Sequence, residues 1–299
     1  MAARIFGDLD GALGRPGWRW MFIIGGVVTF PVAIFGWLTF PGTPQHVKKW
    51  IFSPKELAMA KARMAAVGRE SSKPVPLQLS SIKRFLARWH FWVLVPWSIV
   101  FQQGYLTLSQ GTWTLWIKSN HQYSTVQVNN LTAVTPCVAI VFIVSFTWIA
   151  DRYGHKARLP LFGFAHLVMF LGHLAFVLYN QSSFAYKWFA VATGNVENAM
   201  APVMYAWVNL ICSDDSEERA FILSAMLAFA MAFNSWVPLV ALPTVEAPRY
   251  FKGYLTCLIM QPVAFAGAVL VYYLDRAGRH LRVSLVSRVD EKVDYETQT

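Results

Sequence analysis

Glu197 is the one carboxyl-bearing residue within the long apolar stretches of this chain, and it lies two residues from the midpoint of stretch 188–210. An ionised carboxylate is costly inside a bilayer. Two readings stand for it: a proton-coupling site, or a structural hydrogen-bonded group. Around it Asn195, Asn198, Pro202, Tyr205 and Asn209 recur at spacings of 3, 4, 3 and 4, which stacks them on one helical face. Such a face either lines a cavity or bonds neighbouring helices. At about 100° per residue Glu197 falls about 120° from the centre of that stripe, toward an adjacent helix. Gln103 and Gln110 are seven apart and share a face with Thr107, beside Gln102 and Tyr105. These uncharged donors suit the amide or hydroxyls of a small polar substrate, and suit interhelical bonding equally well. Asn234 and Trp236 point to a cavity in the same way, although Trp also faces lipid. His166 and His173, again seven apart, read first as packed histidines, even though histidine titrates near neutral pH. The candidate substrate-binding set is therefore Gln103, Gln110, Asn195, Asn198, Tyr205 and Asn234, with Glu197 as the candidate proton-coupling residue.

Other chemistries are poorly represented. No nucleophile–base pairing, metal-ligand spacing or phosphate loop falls in the right context, so no catalytic residue, cofactor or metal is expected, and the chain does not read as an enzyme. Cys137, Cys212 and Cys257 share no spacing that implies a disulfide framework or a zinc site.

The elements that position these residues follow from composition. Of 299 residues, 56% are hydrophobic and 14% charged, against about 25% charged in a soluble domain. Seven stretches are long enough to cross a bilayer as helices: 20–40, 91–116, 131–150, 159–179, 188–210, 220–242 and 254–274. None holds Lys, Arg or Asp. The net charge of +10 could suggest nucleic acid, but its distribution argues for topology instead. Seven spans alternate sides, and Lys and Arg number nineteen on one side (41–90, 151–158, 211–219 and the tail) against seven on the other. The richer side is the cytoplasmic one, which also gives some affinity for anionic lipid. The first span, flanked by Arg4, Arg15 and Arg19, reads as an ordinary span rather than a cleaved signal peptide. The sequons at Asn130 and Asn180 fall on the outer side, too close to the membrane to be glycosylated.

The loops are short except 41–90. There Ser53-Pro54-Lys55-Glu56 predicts a capping box with proline at N1, starting a short helix. Arg84, Arg88, Trp89 and Trp92 predict a basic, aromatic entry to the second span at the headgroups. Ile149 to Arg158, IADRYGHKAR, ends the third span. Asp151-Arg152-Tyr153 spells a triplet of seven-helix receptors, and Trp236-Val237-Pro238 is receptor-like too. Yet the last span has no Asn-Pro-x-x-Tyr, and Gly154-His155-Lys156 reads as a tight turn in which Gly154 takes positive φ. Asp151, Arg152, Gly154 and Lys156 are therefore a candidate gating turn, as in a transporter. Asp275-Arg276-Ala277-Gly278-Arg279-His280 reads as a second copy. The acidic run Asp214, Asp215, Glu217 and Glu218 either latches onto Arg152, Lys156 or Arg158, or caps the helix that follows.

Three further motifs carry a resemblance. Gly17-Trp18-Arg19-Trp20-Met21-Phe22 is similar to the opening of the sixth helix of fungal major facilitators. Asp214-Asp215-Ser216-Glu217-Glu218-Arg219-Ala220 and Ala247-Pro248-Arg249-Tyr250-Phe251-Lys252-Gly253-Tyr254 resemble signatures of the fungal anion:cation symporters, the pantothenate transporters and allantoate permeases. The resemblance runs from about residue 10 to 280. It implies an all-α membrane protein of the major facilitator fold: a helix equivalent to helix six (1–40), the central cytoplasmic loop (41–90), the C-terminal six-helix bundle (91–280) and a cytoplasmic tail (281–299). It implies proton-coupled uptake of a small organic anion at the plasma membrane, most nearly pantothenate, with allantoate, biotin, nicotinate or a dipeptide as alternatives. A non-transporting half-protein or a receptor-like interaction protein is the reading from another class. The family has twelve helices, so the first five are expected to be missing, and transport needs the N-terminal half. With no Lys or Arg in any span, the cation to meet a carboxylate would come from that half, from a helix N-terminus or from Arg19.

Overall fold

The computed structural model describes residues 9–40, 52–66, 79–109, 111–120 and 122–297. All regular elements among them are helical. The chain divides into two compact units, Met1–Pro76 and Leu77–Thr299.

In the first unit, α1 (Gly17–Thr39) is apolar on every side and almost wholly exposed. At 1.5 Å per residue it is about 34 Å long, enough for a hydrocarbon core. Asp10 Oδ1 accepts from Gly17 N at 2.7 Å, and Trp20 Nε1 donates to Ala12 O at 3.2 Å, which together fold the N-terminal turn onto the helix. In α2 (Pro54–Ala66) the expected capping box is present. Glu56 Oε2 accepts from Ser53 N and Ser53 Oγ, both at 2.9 Å, and Glu56 N donates to Ser53 Oγ at 3.3 Å. The Ser53 backbone N–H, and then its hydroxyl, hold the Glu56 carboxyl below its ordinary range.

The second unit is a helical bundle. Its elements are α3 (Leu79–Leu86), α4 (Trp89–Gly104), α5 (Leu106–Ser109), α6 (Thr112–Ser119), α7 (Thr125–Leu131), α8 (Val134–Tyr153), α9 (His155–Val177), α10 (Phe184–Thr193), α11 (Ala201–Ile211), α12 (Ser216–Ala241) and α13 (Phe251–Thr297). Among the described residues, five helices are long and apolar enough to span a membrane. The other two stretches read as spans, 91–116 and 188–210, are broken: the first into α4, α5 and α6, the second into α10, a 3₁₀ turn (Asn198–Met200) and α11. Gly104, Gly111 and Gly194 sit at these interruptions. Hydropathy averaged over a whole span does not see them, because the longer segments on either side of each break stay apolar.

α4 packs between α12 and α13, and α9 runs along α13. Trp97 Nε1 donates to Ala264 O at 3.0 Å, and Ser98 Oγ to Met226 O at 3.2 Å, so α4 is bonded to both neighbours. The apolar interior forms two clusters. One gathers Trp97, Phe101, Phe162, Met200, Trp207 and Met226. The other gathers Leu106, Trp116, Phe176, Val191, Tyr254 and Cys257. The helix breaks lie at the level between them.

Gly154, with φ 60°, joins α8 to α9 as expected. Asp151, Arg152 and Lys156 are exposed around it. The second Asp-Arg-x-Gly copy makes no turn. Asp275 to Gly278 continue α13, and the positive-φ glycines are found elsewhere. The turn needs φ reversal at its glycine, and helical hydrogen bonding removes it at the second site.

The acidic run also finds partners other than those expected. Arg84 Nη2 lies 3.0 Å from Asp215 Oδ2, Ser81 Oγ donates to Glu217 at 3.3 Å, and the buried Glu218 pairs with Arg88 and, at 2.7 Å, with His90 Nδ1. Asp215 Oδ1 also caps α12 by accepting from Glu217 N and Glu218 N. These basic groups come from the start of α4 and from α3, which is held in place by Phe85, fully buried and packed at a tilt against Phe221 with ring centroids 5.4 Å apart. Arg158 lies over the Trp207 ring. Because Glu218 is buried, Arg88→Ala is expected to cost about 3 kcal/mol by stranding a charge. Arg84→Ala, facing more accessible acids, should cost under about 1 kcal/mol. Thermal unfolding of the purified variants checks the difference.

Candidate functional site

Where α4 ends at Gly104 and the chain turns through Tyr105, the other broken helix makes its own turn through Gly194–Glu197. The two breaks lie side by side. Glu197 is fully buried there. Its Oε2 accepts from Gln261 Nε2 at 2.8 Å, and its Oε1 lies 3.6 Å from His166 Nδ1. Gln261 Nε2 also donates to Gly104 O at 2.9 Å, while Gln261 Oε1 meets His166 Nδ1 at 2.8 Å. A Cβ on Gly104 would overlap both carboxylate oxygens of Glu197, so glycine is what lets α4 and the carboxyl group approach this closely. His166 stacks on Phe162 at 6.0 Å and meets Phe101 edge-on at 6.1 Å. The pair His166 and His173 divides: His173 Nδ1 bonds Met169 O at 2.7 Å, and its Nε2 faces Thr107 at 3.3 Å.

The polar stripe on the same broken helix faces the other way. Asn195, Asn198, Tyr205 and Asn209 are half-buried and Pro202 is exposed, whereas Glu197 is sealed. The rotation expected from the sequence is thus observed. Tyr205 Oη and Asn234 Oδ1 are buried atoms with no hydrogen-bond partner among the described residues, and so are both amide atoms of Gln103. Gln103 lies next to the break, buried, while Gln110 falls outside the described residues. Trp236 is exposed. Tyr105, at the α4 break, is half-buried and packs edge-on against Phe101 at 6.2 Å.

The sequence pattern did not single out Gln261 or Gly104, and it read His166 first as a packed histidine. One signal was available, because Gln261 is the only amide or charged side chain in stretch 254–274.

A family model described as the Major Facilitator Superfamily matches residues 9–231. The chain belongs to this superfamily. As a major facilitator it is an integral membrane protein, with the all-α fold just described. It is similar to a vitamin H transporter of Saccharomyces cerevisiae, with 30% identity over 94% of this chain and 48% of that one. It is 26% identical to a pantothenate transporter of Schizosaccharomyces pombe, over 96% of this chain and 55% of the relative. A pantothenate transporter of Saccharomyces cerevisiae is 30% identical over 90% and 52%. The chain spans about half the length of these curated relatives. No solved structure matches it.

The close approach at Gly104 is directly checkable. Gly104→Ala must displace the Glu197 carboxylate and is expected to destabilise this major facilitator by about 1–3 kcal/mol, as overpacking does. Gly25→Ala, in α1 with open space around it, should leave the melting temperature unchanged in the same thermal-shift measurement.

Proposed function

We propose that this chain is the helix-six equivalent, central loop and C-terminal six-helix half of a proton-coupled importer of small organic anions, acting at the plasma membrane with its C-terminus in the cytoplasm and together with the other five helices of an N-terminal half. The observation that carries the reading is Glu197, the sole acid in any apolar stretch, buried where two discontinuous helices meet. Discontinuous helices near mid-membrane are where secondary transporters bind substrates and coupling ions.

The substrate class is a small carboxylate that also carries an amide or ureido group. Pantothenate and vitamin H share that chemistry, and both are named among the relatives. Asn195, Asn198, Tyr205, Asn234 and Gln103, with Gln110 as a further candidate, offer uncharged donors and acceptors for the polar end. The carboxylate would be met by the second half or a helix N-terminus, because no apolar stretch here contains Lys or Arg. Glu197 carries the coupled proton. Asp151, Arg152, Gly154 and Lys156 form the turn that engages the other half as access alternates.

The test expresses the longest reading frame that full-length cDNA yields across Met1, and follows uptake of labelled pantothenate and labelled biotin. Accumulation is expected to depend on an inward proton gradient and to collapse with a protonophore. Glu197→Gln should abolish accumulation while sparing substrate exchange. Normal accumulation by that variant would sink the assignment. Asn198→Ala should raise KM about tenfold, equivalent to losing about 1.4 kcal/mol of substrate hydrogen bonding, with little change in the proton dependence.

A further inference from the structure

The Gln261 amide joins the two breaks. Its –NH2 group has two hydrogens and two acceptors within reach: Gly104 O, the last carbonyl of α4, at 2.9 Å, and Glu197 Oε2, just ahead of the 3₁₀ turn, at 2.8 Å. Its oxygen has one partner, His166 Nδ1, at 2.8 Å. Two acceptors on one side and a ring nitrogen on the other fix which amide atom is which. It follows that His166 donates from Nδ1. Gln261 is itself buried, on α13, and α13 is unbroken across this level. A continuous helix therefore holds two discontinuous ones through a single side chain.

We propose that Gln261 is a positioning residue that clamps the two helix breaks together, and that the proton on Glu197 sets how tightly it holds. This rests on Glu197 as the proton site proposed above. With Glu197 ionised, the Gln261–carboxylate bond is charge-assisted, and such bonds are roughly twice as strong as neutral ones. A proton on the carboxyl removes that assistance, and the two breaks loosen together. The other titratable groups facing Glu197 are His166 from α9, Tyr105 at the α4 break and Cys257 from α13. None is a lysine or arginine, so protonation of Glu197 is not masked by a fixed countercharge. Gly104 makes the arrangement sensitive to small movements, because the carboxylate has no slack against α4.

The test reads the clamp without relying on transport. In the full-length protein in lipid nanodiscs, amide hydrogen exchange is followed across 100–112 and 190–202 at acid and neutral pH, corrected for intrinsic rates. In the wild type both segments should open more readily at acid pH. Gln261→Met, similar in length but unable to donate, should raise opening about tenfold in both segments and flatten that pH difference. Glu197→Gln should also flatten it. A response confined to one segment, or a pH difference that survives in Gln261→Met, overturns the clamp. Should Gln261→Met fail to fold, Gln261→Asn is used, since its amide is a methylene too short to reach both acceptors. Wild-type protection in Gln261→Asn overturns the clamp equally. Uptake indifferent to a proton gradient would defeat the proposed function, while the exchange data would still decide the clamp.

Discussion

Backbone groups at membrane depth must be bonded within the protein, and this bundle interrupts two of its helices at that depth. The interruptions are supported because they sit beside each other and share one amide. Gln261 bonds the Gly104 carbonyl and one oxygen of the Glu197 carboxyl at once, and His166 completes the amide. Any side chain at 104 would prevent this contact. The polar layer and the breaks thus depend on each other: straight helices would leave the carboxyl group without its partners.

The apolar packing is organised around that layer. α4 contributes Leu94 to Phe101 to one cluster, and beyond the break Leu106 belongs to the other. On the second broken helix Ala190 and Val191 join the latter cluster, while Val196, Ala199 and Met200 join the former. α13 crosses both, with Cys257 on one side of Gln261 and Ala268 on the other.

The same broken helix serves two environments. Its sealed side carries Glu197, and its half-buried side carries Asn195, Asn198 and Tyr205. At the other end of the bundle, buried Glu218 and its neighbours hold α3 and the start of α4 against α12 through Arg84, Arg88 and His90. The final segment of the long loop is thereby part of the bundle rather than a free connector.

Much of this was legible in local patterns. Apolar stretches with one acid among them dictate a helical membrane protein, since only internally bonded backbone survives in hydrocarbon. The Ser53–Glu56 box, the Gly154 turn and the rotation of Glu197 away from the asparagine stripe follow from spacing alone, because each depends on residues a few positions apart. What spacing could not reach were contacts between residues far apart in the chain. Gln261 lies 64 positions from Glu197 and 157 from Gly104, and Arg88 lies 130 from Glu218. The acidic run caps its own helix as its spacing predicts, and packing of α3 and the start of α4 adds Arg84, Arg88 and His90 as partners from far away in the chain. Sequence determined which groups must be buried and which way each helix faces. Only the tertiary packing decided which buried groups meet, because a polar atom out of water takes whichever partner the neighbouring helices present.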